Sequence, residues 1–361
     1  YEIGSGLVGS EMCIRDRVLD SVTIARSRKH IQNYYDVTDI GTFPARNKPI
    51  SLRPKLTDRP GAINYKEVFE LLSKLQLTIY TPTIYIHASK LHKYLDEKES
   101  ENFRKGRELG IQRLMSINLL KRMESSVHSF LLTVRRIYDY LYDTSQAIEQ
   151  FMMDGTGDLD EMRDLSAVAD DFDYDDQNTD FFSVGKKVKI DLRDMDYISW
   201  KRDIDEDIEN LQLLILMVED ITPEYDFKLN ELIRVIREKV DAPINEGNRK
   251  VLIFTAFSDT AEYLFDNISG MARDELGLHT ALVTGSVDGK TTIPKFKADM
   301  NHVLSCFSPM SKDRDVLYPN DKTEIDILIA TDCISEGQNL QDCDFCINYD
   351  IPVSYTHLTL P

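Results

Sequence analysis

The run EIDILIATDCISEGQNLQDCDFCINYDIP, residues 324–352, decides how this sequence folds. EIDILIAT (324–331) is a short apolar run of the kind that forms a strand buried on both faces, and FCINYDIP (345–352) is a second. Between them lies a polar turn. Upstream, KVLIFTAF (250–257) and TALVTG (280–285) read as two further buried strands, with an amphipathic helix around Thr260 to Leu264 separating them. Strands alternating with helices predict a parallel α/β sheet, and such sheets bind ligands at the carboxyl ends of their strands. Here those ends read TAFSD, TGS, TDCISEGQN and YDIP. In the third of them Gly337 lets the backbone approach a ligand closely, Gln338 and Asn339 offer amide hydrogen bonds, and exposed N–H groups suit phosphate oxygens.

The sequence before residue 246 has a different character. Prolines 44, 49 and 54 in FPARNKPISLRPKL (43–56) forbid a helix, and Glu67 to Leu77 reads as a short amphipathic helix. From Glu108 onward Ile111, Leu114, Ile117, Leu120, Met123, Val127, Phe130, Val134, Ile137 and Leu141 recur at spacings of three and four. They predict one long helix or a helix pair. Lys121, Arg122, Arg135 and Arg136 fall mostly off that stripe, as solvated residues or as a DNA-facing edge. Helices resume over 201–240, with Ile204, Ile208, Leu211, Leu214 and Ile215 in one and Leu229, Leu232, Ile233 and Ile236 in another, divided at Pro223.

The 361 residues carry 43 Lys and Arg against 62 Asp and Glu, a net charge of −19. That total argues against nucleic acid, but its distribution does not. Residues 18–141 hold 21 basic and 13 acidic side chains, whereas 154–180 hold 11 acidic and one basic. DNA meets a local surface rather than a sum, so the first region keeps nucleic acid open and the second reads as an acidic linker. No apolar run approaches the roughly 18–20 residues of a membrane span. Five cysteines in so long a chain suit a reducing compartment. The first 17 residues and VSYTHLTLP (353–361) resemble translated sequencing-adaptor read-through, so the expectation is a native segment of about 18–352 from a longer protein.

Several chemistries lack their residues. GSVDGKTT (285–292) spaces its glycines by three residues, where a phosphate cradle needs four. LQLLILMVED (211–220) ends in paired acids, as a Mg²⁺-binding strand would, but its flanks are helical. Cys343 and Cys346 form a single C-x-x-C with Cys333 near, too little for a zinc site, and Cys346 reads as a small strand hydrophobe. The Asp-rich 154–180 stretch lacks EF-hand spacing. No nucleophile elbow or H-E-x-x-H occurs.

The segment Ser335-Glu336-Gly337-Gln338-Asn339-Leu340-Gln341, followed by Ile347-Asn348-Tyr349-Asp350, resembles motif V and the strand after it in Swi/Snf-type DNA translocases of helicase superfamily two. VLIFTAFSDTAEYL (251–264) is similar to their motif IV and Val283-Thr284-Gly285-Ser286 to the next strand and loop. VTIARSRKHI (22–31) and FPARNKPISL (43–52) are similar to the arginine-rich block after motif III. The resemblance implies an α/β fold: a RecA-like parallel sheet with flanking helices as second helicase lobe, preceded by a mainly helical region from the end of lobe one. It places lobe one and a helical protrusion in 18–150, an acidic linker in 151–200, connecting helices in 201–245 and the second lobe in 246–352.

It further implies that Glu336, Gly337, Gln338 and Asn339 face nucleotide, and that Thr331 and Asp332 couple that site to the nucleic acid. Thr255, Thr284, Gly285 and Ser286 would meet phosphates of one DNA strand, with Arg26, Arg28 and Lys29 supporting lobe one; a surface salt-bridge cluster is the alternative for these three. ATP and Mg²⁺ are the implied cofactors, DNA the implied partner, and the bacterial cytoplasm the implied location. The family's Walker A lysine, acidic Mg²⁺ pair and motif VI arginines have no counterpart here, so no catalytic residue is expected in this chain and hydrolysis belongs to a longer parent. The rival is a non-catalytic nucleic-acid-binding or scaffold module with a degenerate helicase lobe. A DEAD-box RNA helicase fits less well, with Asn339 where that group has Asp.

Overall fold

The computed structural model describes residues 47–94, 101–155, 190–285, 289–331, 334 and 338–350. The chain divides into two units at Arg53; of the first, the described residues Asn47 to Arg53 are exposed and without regular structure. The three prolines of the 43–56 stretch forbade a helix there, and none forms over the described part, 47–56.

From Pro54 onward the chain builds a helical layer and then a sheet. Helix α1 (Tyr65–Leu72) starts on a capping box: Asn64 Oδ1 accepts from the N–H groups of Lys66 and Glu67, and the Glu67 carboxylate accepts from Asn64 N–H. Short 3₁₀ turns at Thr78–Tyr80, Pro82–Tyr85 and Leu91–Lys93 lead to α2 (Glu101–Ser125) and α3 (Val127–Asp154). The two are a pair, not one long helix. Ser126 is extended at φ −151° and caps α3 by accepting from Ser129 N–H. Burial nevertheless runs on across the break at a spacing of four, from Met123 to Val127. In α3 Val127, Phe130, Val134, Ile137 and Leu141 are buried, as their spacing predicts. In α2 the buried apolar residues are Met115, Leu119 and Met123, while Ile117 and Leu120 of the expected stripe are exposed at 50% and 37%.

Helix α4 (Tyr197–Val218) packs along α3 and carries the apolar LQLLILMV run (211–218), with Glu219 and Asp220 in the turn that follows, so the run is helix and not a Mg²⁺-binding strand. It begins at Tyr197, inside the stretch expected as linker; the acidic residues 156–189 themselves lie outside the described residues. Trp200, Ile204, Leu211 and Leu214 close a single core with α1, α2 and α3. Helix α5 (Phe227–Asp241) follows Pro223, with Asp226 as its cap.

The sheet unit contains β1 (Val251–Phe254), α6 (Ser258–Leu276), β2 (Thr280–Val283), β3 (Lys290–Thr291), α7 (Met300–Phe307), α8 (Arg314–Leu317), β4 (Ile327–Ala330) and β5 (Cys346–Asn348). Strand order is β3-β2-β4-β1-β5. Four strands are parallel, and the sheet is mixed because β3 pairs antiparallel with β2. Side chains alternate across it. Val251, Ile253, Leu282, Ile327 and Ile329 meet α5 and α6 on one face. Leu252, Phe254, Ala281, Val283, Leu328 and Ala330 meet α7 on the other. Gly277, at φ +65°, ends α6 in the left-handed conformation that glycine adopts without steric cost. In the GKT triplet Lys290 and Thr291 are edge strand: Lys290 pairs with Glu262 at 3.0 Å, and a Cβ on Gly289 just before them would lie 2.5 Å from the Ala298 carbonyl oxygen. Strand β3, α7 and α8 were not legible from periodicity. Among the described residues no helix is long and apolar enough to cross a membrane.

One turn in the helical layer is strained. Leu77 is left-handed at φ +50°, a conformation that costs a non-glycine residue roughly 1–2 kcal/mol. Asp207, fully buried on α4, holds it: its carboxylate accepts from Gln76 N–H at 2.7 Å and Leu77 N–H at 2.6 Å. Burial pushes the Asp207 carboxyl up to about 6, against the pull of those hydrogen bonds. A folded-state value above the unfolded one means that the native protein binds the proton more tightly. The contribution of Asp207 to stability is therefore greatest below about pH 4 and falls as pH rises through 6. Urea unfolding of wild type and Asp207→Asn between pH 4 and 7 is expected to show the difference narrowing by up to roughly 3 kcal/mol and flat above pH 6–7. A difference independent of pH would contradict this assignment.

Candidate nucleotide and nucleic-acid face

The four parallel strands end level with one another. Phe254 pairs with Ala330 and Asn348, and Ala330 with Val283, so Thr255, Thr331, Thr284 and Tyr349 follow in one row. The ladder continues one residue past the strands: Thr255 N–H donates to Ala330 O (3.1 Å), Thr331 N–H to Val283 O (3.3 Å) and Tyr349 N–H to Phe254 O (2.8 Å). The expected ligand edge of the sheet thus places Thr255, Thr284, Gly285 and Thr331 along one line, with Gly285 exposed and Thr284 half-buried.

Thr255 does not present a free hydroxyl. It is only 2% exposed, and Oγ1 donates to Asp350 Oδ2 at 2.6 Å, the same oxygen that accepts from Ala256 N–H at 2.6 Å. A phosphate reaches Thr255 only by displacing Asp350, which qualifies the expected phosphate contact. The other Asp350 oxygen lies 3.4 Å from Lys228 Nζ. Lys228 also donates to the carbonyl oxygens of Glu124 (2.6 Å) and Ser125 (2.8 Å) at the end of α2, and its ammonium sits 4.0 Å from the Tyr349 ring centroid. Burial lowers the Lys228 ammonium from its ordinary range, with Asp350 opposing, and burial raises the Tyr349 phenol well above its own.

Beyond β4, the described part of the loop is propped by the segment before α8. Gln338 Oε1 accepts from Lys312 Nζ at 2.6 Å, and Asn339 Nδ2 donates to Ser311 O at 3.2 Å. Asp342 fixes the same segment, accepting from Met310 N–H (2.7 Å), Ser311 N–H (3.0 Å) and the Ser311 hydroxyl. Gln338 and Asn339 are thus held together, half-buried and exposed respectively, beside a lysine. Arg26, Arg28, Lys29, Ser286, Asp332, Glu336 and Gly337 lie outside the described residues.

The basic residues of the helix pair are largely taken up within the chain. Arg122 is 1% exposed; it donates to Asp259 (2.9 Å) and Ser129 (2.9 Å) and covers the Phe257 ring at 4.6 Å. Neither expectation for it, solvated residue or DNA-facing edge, describes that position. Arg135 pairs with Glu219 at 3.1 Å, and Arg136 lies 4.0 Å from Asp259. Cys343 Sγ lies 3.2 Å from Phe345 O, and burial pushes the Cys343 thiol up to about 11 and that of Cys346 to about 12. Cys346 lies in the edge strand, half-buried rather than buried. Three residues at this face had no role assigned from sequence. Asp350 stood inside the quoted INYD run, which was its one signal; Lys228 and Lys312 stood in no motif.

Residues 228–359 match the helicase conserved C-terminal domain. The match begins at Lys228 and takes in the whole sheet unit. No curated protein matches the chain. Among solved structures, the crystal structure of the Pyrococcus furiosus Hef helicase domain is 14% identical, with 79% of this chain and 47% of that one covered at a TM-score of 0.32. The chain spans about half the length of that structure.

Asp350 supports both the strand-end row and Lys228. Asp350→Ala is expected to cost roughly 3–5 kcal/mol by leaving a buried ammonium without its counter-charge. Thr255→Val removes one hydroxyl donor and is expected to cost about 1–3 kcal/mol. Urea unfolding followed by circular dichroism measures both, and equal losses would contradict the double role of Asp350.

Proposed function

We propose that the chain is part of an ATP-dependent DNA translocase of the Swi/Snf type, in which the 246–352 unit is the second of two RecA-like lobes and 18–245 holds the end of the first lobe, a helical protrusion and the connecting segments. The observation that carries the reading is the level row of strand ends, Thr255, Thr284 and Thr331, with Gln338 and Asn339 held by Lys312 and Ser311 further along the chain after β4. Along that edge Thr284 and Gly285 are accessible to phosphate oxygens, Thr255 becomes so only when Asp350 moves off it, and Thr331, fully buried, would act through its neighbours rather than by direct contact. The match of residues 228–359 to the helicase C-terminal domain supports it.

In this reading nucleotide lies against Glu336 to Asn339, and Mg²⁺ and the attacking water are organised by a first lobe that supplies the Walker A lysine. Thr331 and Asp332 stand between nucleotide and nucleic acid, so closure of the lobes on ATP shifts the strand-end row along DNA. The Asp350 carboxylate on Thr255 is the contact that would exchange for a DNA phosphate. The chemistry is in-line attack of water on the γ-phosphate. The protein would act on DNA in the bacterial cytoplasm.

Two measurements test this. A gene product extended to include the Walker A lysine and motif VI arginines is expected to hydrolyse ATP faster with duplex DNA. Gly337→Val in it is expected to abolish turnover and leave non-specific DNA binding intact, because the branched side chain blocks close approach to phosphate. Turnover surviving that substitution would move the nucleotide site elsewhere. DNA affinity that falls steeply with salt, without ATPase activity in the extended protein, would favour the non-catalytic binding module instead.

A further inference from the structure

A cluster of metal-ligating groups lies away from the strand-end row. His302 and Cys306 stand four residues apart on α7 and so project from the same helix face. Asp321, from the segment that leads into β4, reaches both: its Oδ2 is 2.7 Å from His302 Nε2 and 3.8 Å from Cys306 Sγ. One ligand atom from each of the three falls within 4.8 Å of the others.

Each group is already oriented. The His302 ring is clamped between Phe296 and Tyr318, with centroids at 4.4 and 4.3 Å and interplanar angles of 24° and 25°. The second Asp321 oxygen accepts from Thr323 N–H at 2.8 Å, which leaves Oδ2 directed at the cluster. Cys306 is fully buried on α7, while the His302 and Asp321 side chains are each 21% exposed, so one side of the cluster opens to solvent. Outer hydrogen bonds that fix the ligands are a usual feature of metal sites.

We propose that His302, Cys306 and Asp321 form a zinc-class divalent metal site, with water in the fourth position. Imidazole, thiolate and carboxylate together suit zinc and not the all-oxygen preferences of Mg²⁺ or Ca²⁺. Tetrahedral coordination at zinc bond lengths separates neighbouring ligand atoms by about 3.3–3.6 Å. The sulfur–oxygen separation is near that range, and the His302–Asp321 hydrogen bond opens by about half an ångström as the ion takes its place. On binding, Cys306 gives its thiol proton to the buffer and forms the sulfur–metal bond; the imidazole proton that faces Asp321 leaves Nε2, the ring taking the Nδ1–H tautomer, so that the Nε2 lone pair and the freed Asp321 Oδ2 bind the ion. No redox step occurs.

The site has a structural consequence. Cys306 and Asp321 bracket the segment whose Ser311 and Lys312 hold Asn339 and Gln338. A metal there fastens both ends of the support under that loop. The binding proposal itself stands whether or not the loop meets nucleotide.

The test uses the full chain, freed of metal by chelation and titrated with Co²⁺, then with Zn²⁺. The expected result is one equivalent of Co²⁺ with a thiolate charge-transfer band and the intense visible bands of tetrahedral cobalt, both displaced by Zn²⁺. Zn²⁺ should also raise the thermal midpoint. Cys306→Ser should abolish the charge-transfer band, and Cys343→Ser should leave it unchanged. Asp321→Asn keeps the thiol and serves where Cys306→Ser does not fold; it should abolish the rise in midpoint given by Zn²⁺. Absence of a thiolate band in the wild type would overturn the proposal. So would a band that survives Cys306→Ser, or one lost in Cys343→Ser, which would assign the metal to the C-x-x-C instead.

Discussion

Strand β1 is hydrogen-bonded along both edges, to β4 on one side and β5 on the other, and Val251 to Phe254 are all buried. A strand so placed has no water with which to replace a lost partner, so its register with its neighbours is fixed by the need to pair every backbone group. The rest of the arrangement follows. With Phe254 opposite both Ala330 and Asn348, the residues after each strand come out level, and four different chain segments deliver Thr255, Thr331, Thr284 and Tyr349 to one edge. A one-residue slip would also carry the apolar set of a strand to its opposite face, away from α5 and α6 or from α7.

The helical layer reaches that edge through few, mostly polar contacts. At the corner between α2 and α3, the hydroxyls of Ser125 and Ser126 meet Thr260 Oγ1 at 2.7 and 3.0 Å. Beside them the Arg122 guanidinium spans from Ser129 to Asp259. Lys228 completes the junction, since its ammonium binds the α2 carbonyl oxygens and Asp350 together. Three hydrogen-bonding links therefore separate the Ser125 carbonyl from the Thr255 hydroxyl. Such contacts are costly to break singly and can re-form in another arrangement, unlike an interdigitated apolar seam.

The sheet was legible because its signal is local. VLIF, TALV, ILIA and CIN are short apolar runs bounded by polar turns, and all four form strands within the expected stretches. The edge strand Lys290–Thr291 was not, since two polar residues have no period and exist as a strand only because β2 offers them a free edge. In α2 the expected stripe failed at Ile117 and Leu120 because a run spaced only by threes falls about 60° short of a turn at each step and drifts round the helix, whereas burial follows Met115, Leu119 and Met123 at a spacing of four. Arg122 was read as a surface residue because nothing in its neighbourhood announces Asp259, 137 residues on. At the candidate site the threonines were legible as strand ends, but the hold of Asp350 on Thr255 and of Lys312 on Gln338 were not. Both join residues distant in sequence, and only the folded register brings them together.

The proposed place of action for nucleotide and nucleic acid is the carboxyl edge of the sheet. Hydrogen exchange of the extended gene product tests it most directly, compared with and without a non-hydrolysable ATP analogue and duplex DNA. Slower exchange is expected in peptides covering 255–257, 284–286 and 331–342, with the loop peptide responding to nucleotide alone. Binding of both ligands without protection in any of those peptides would contradict it.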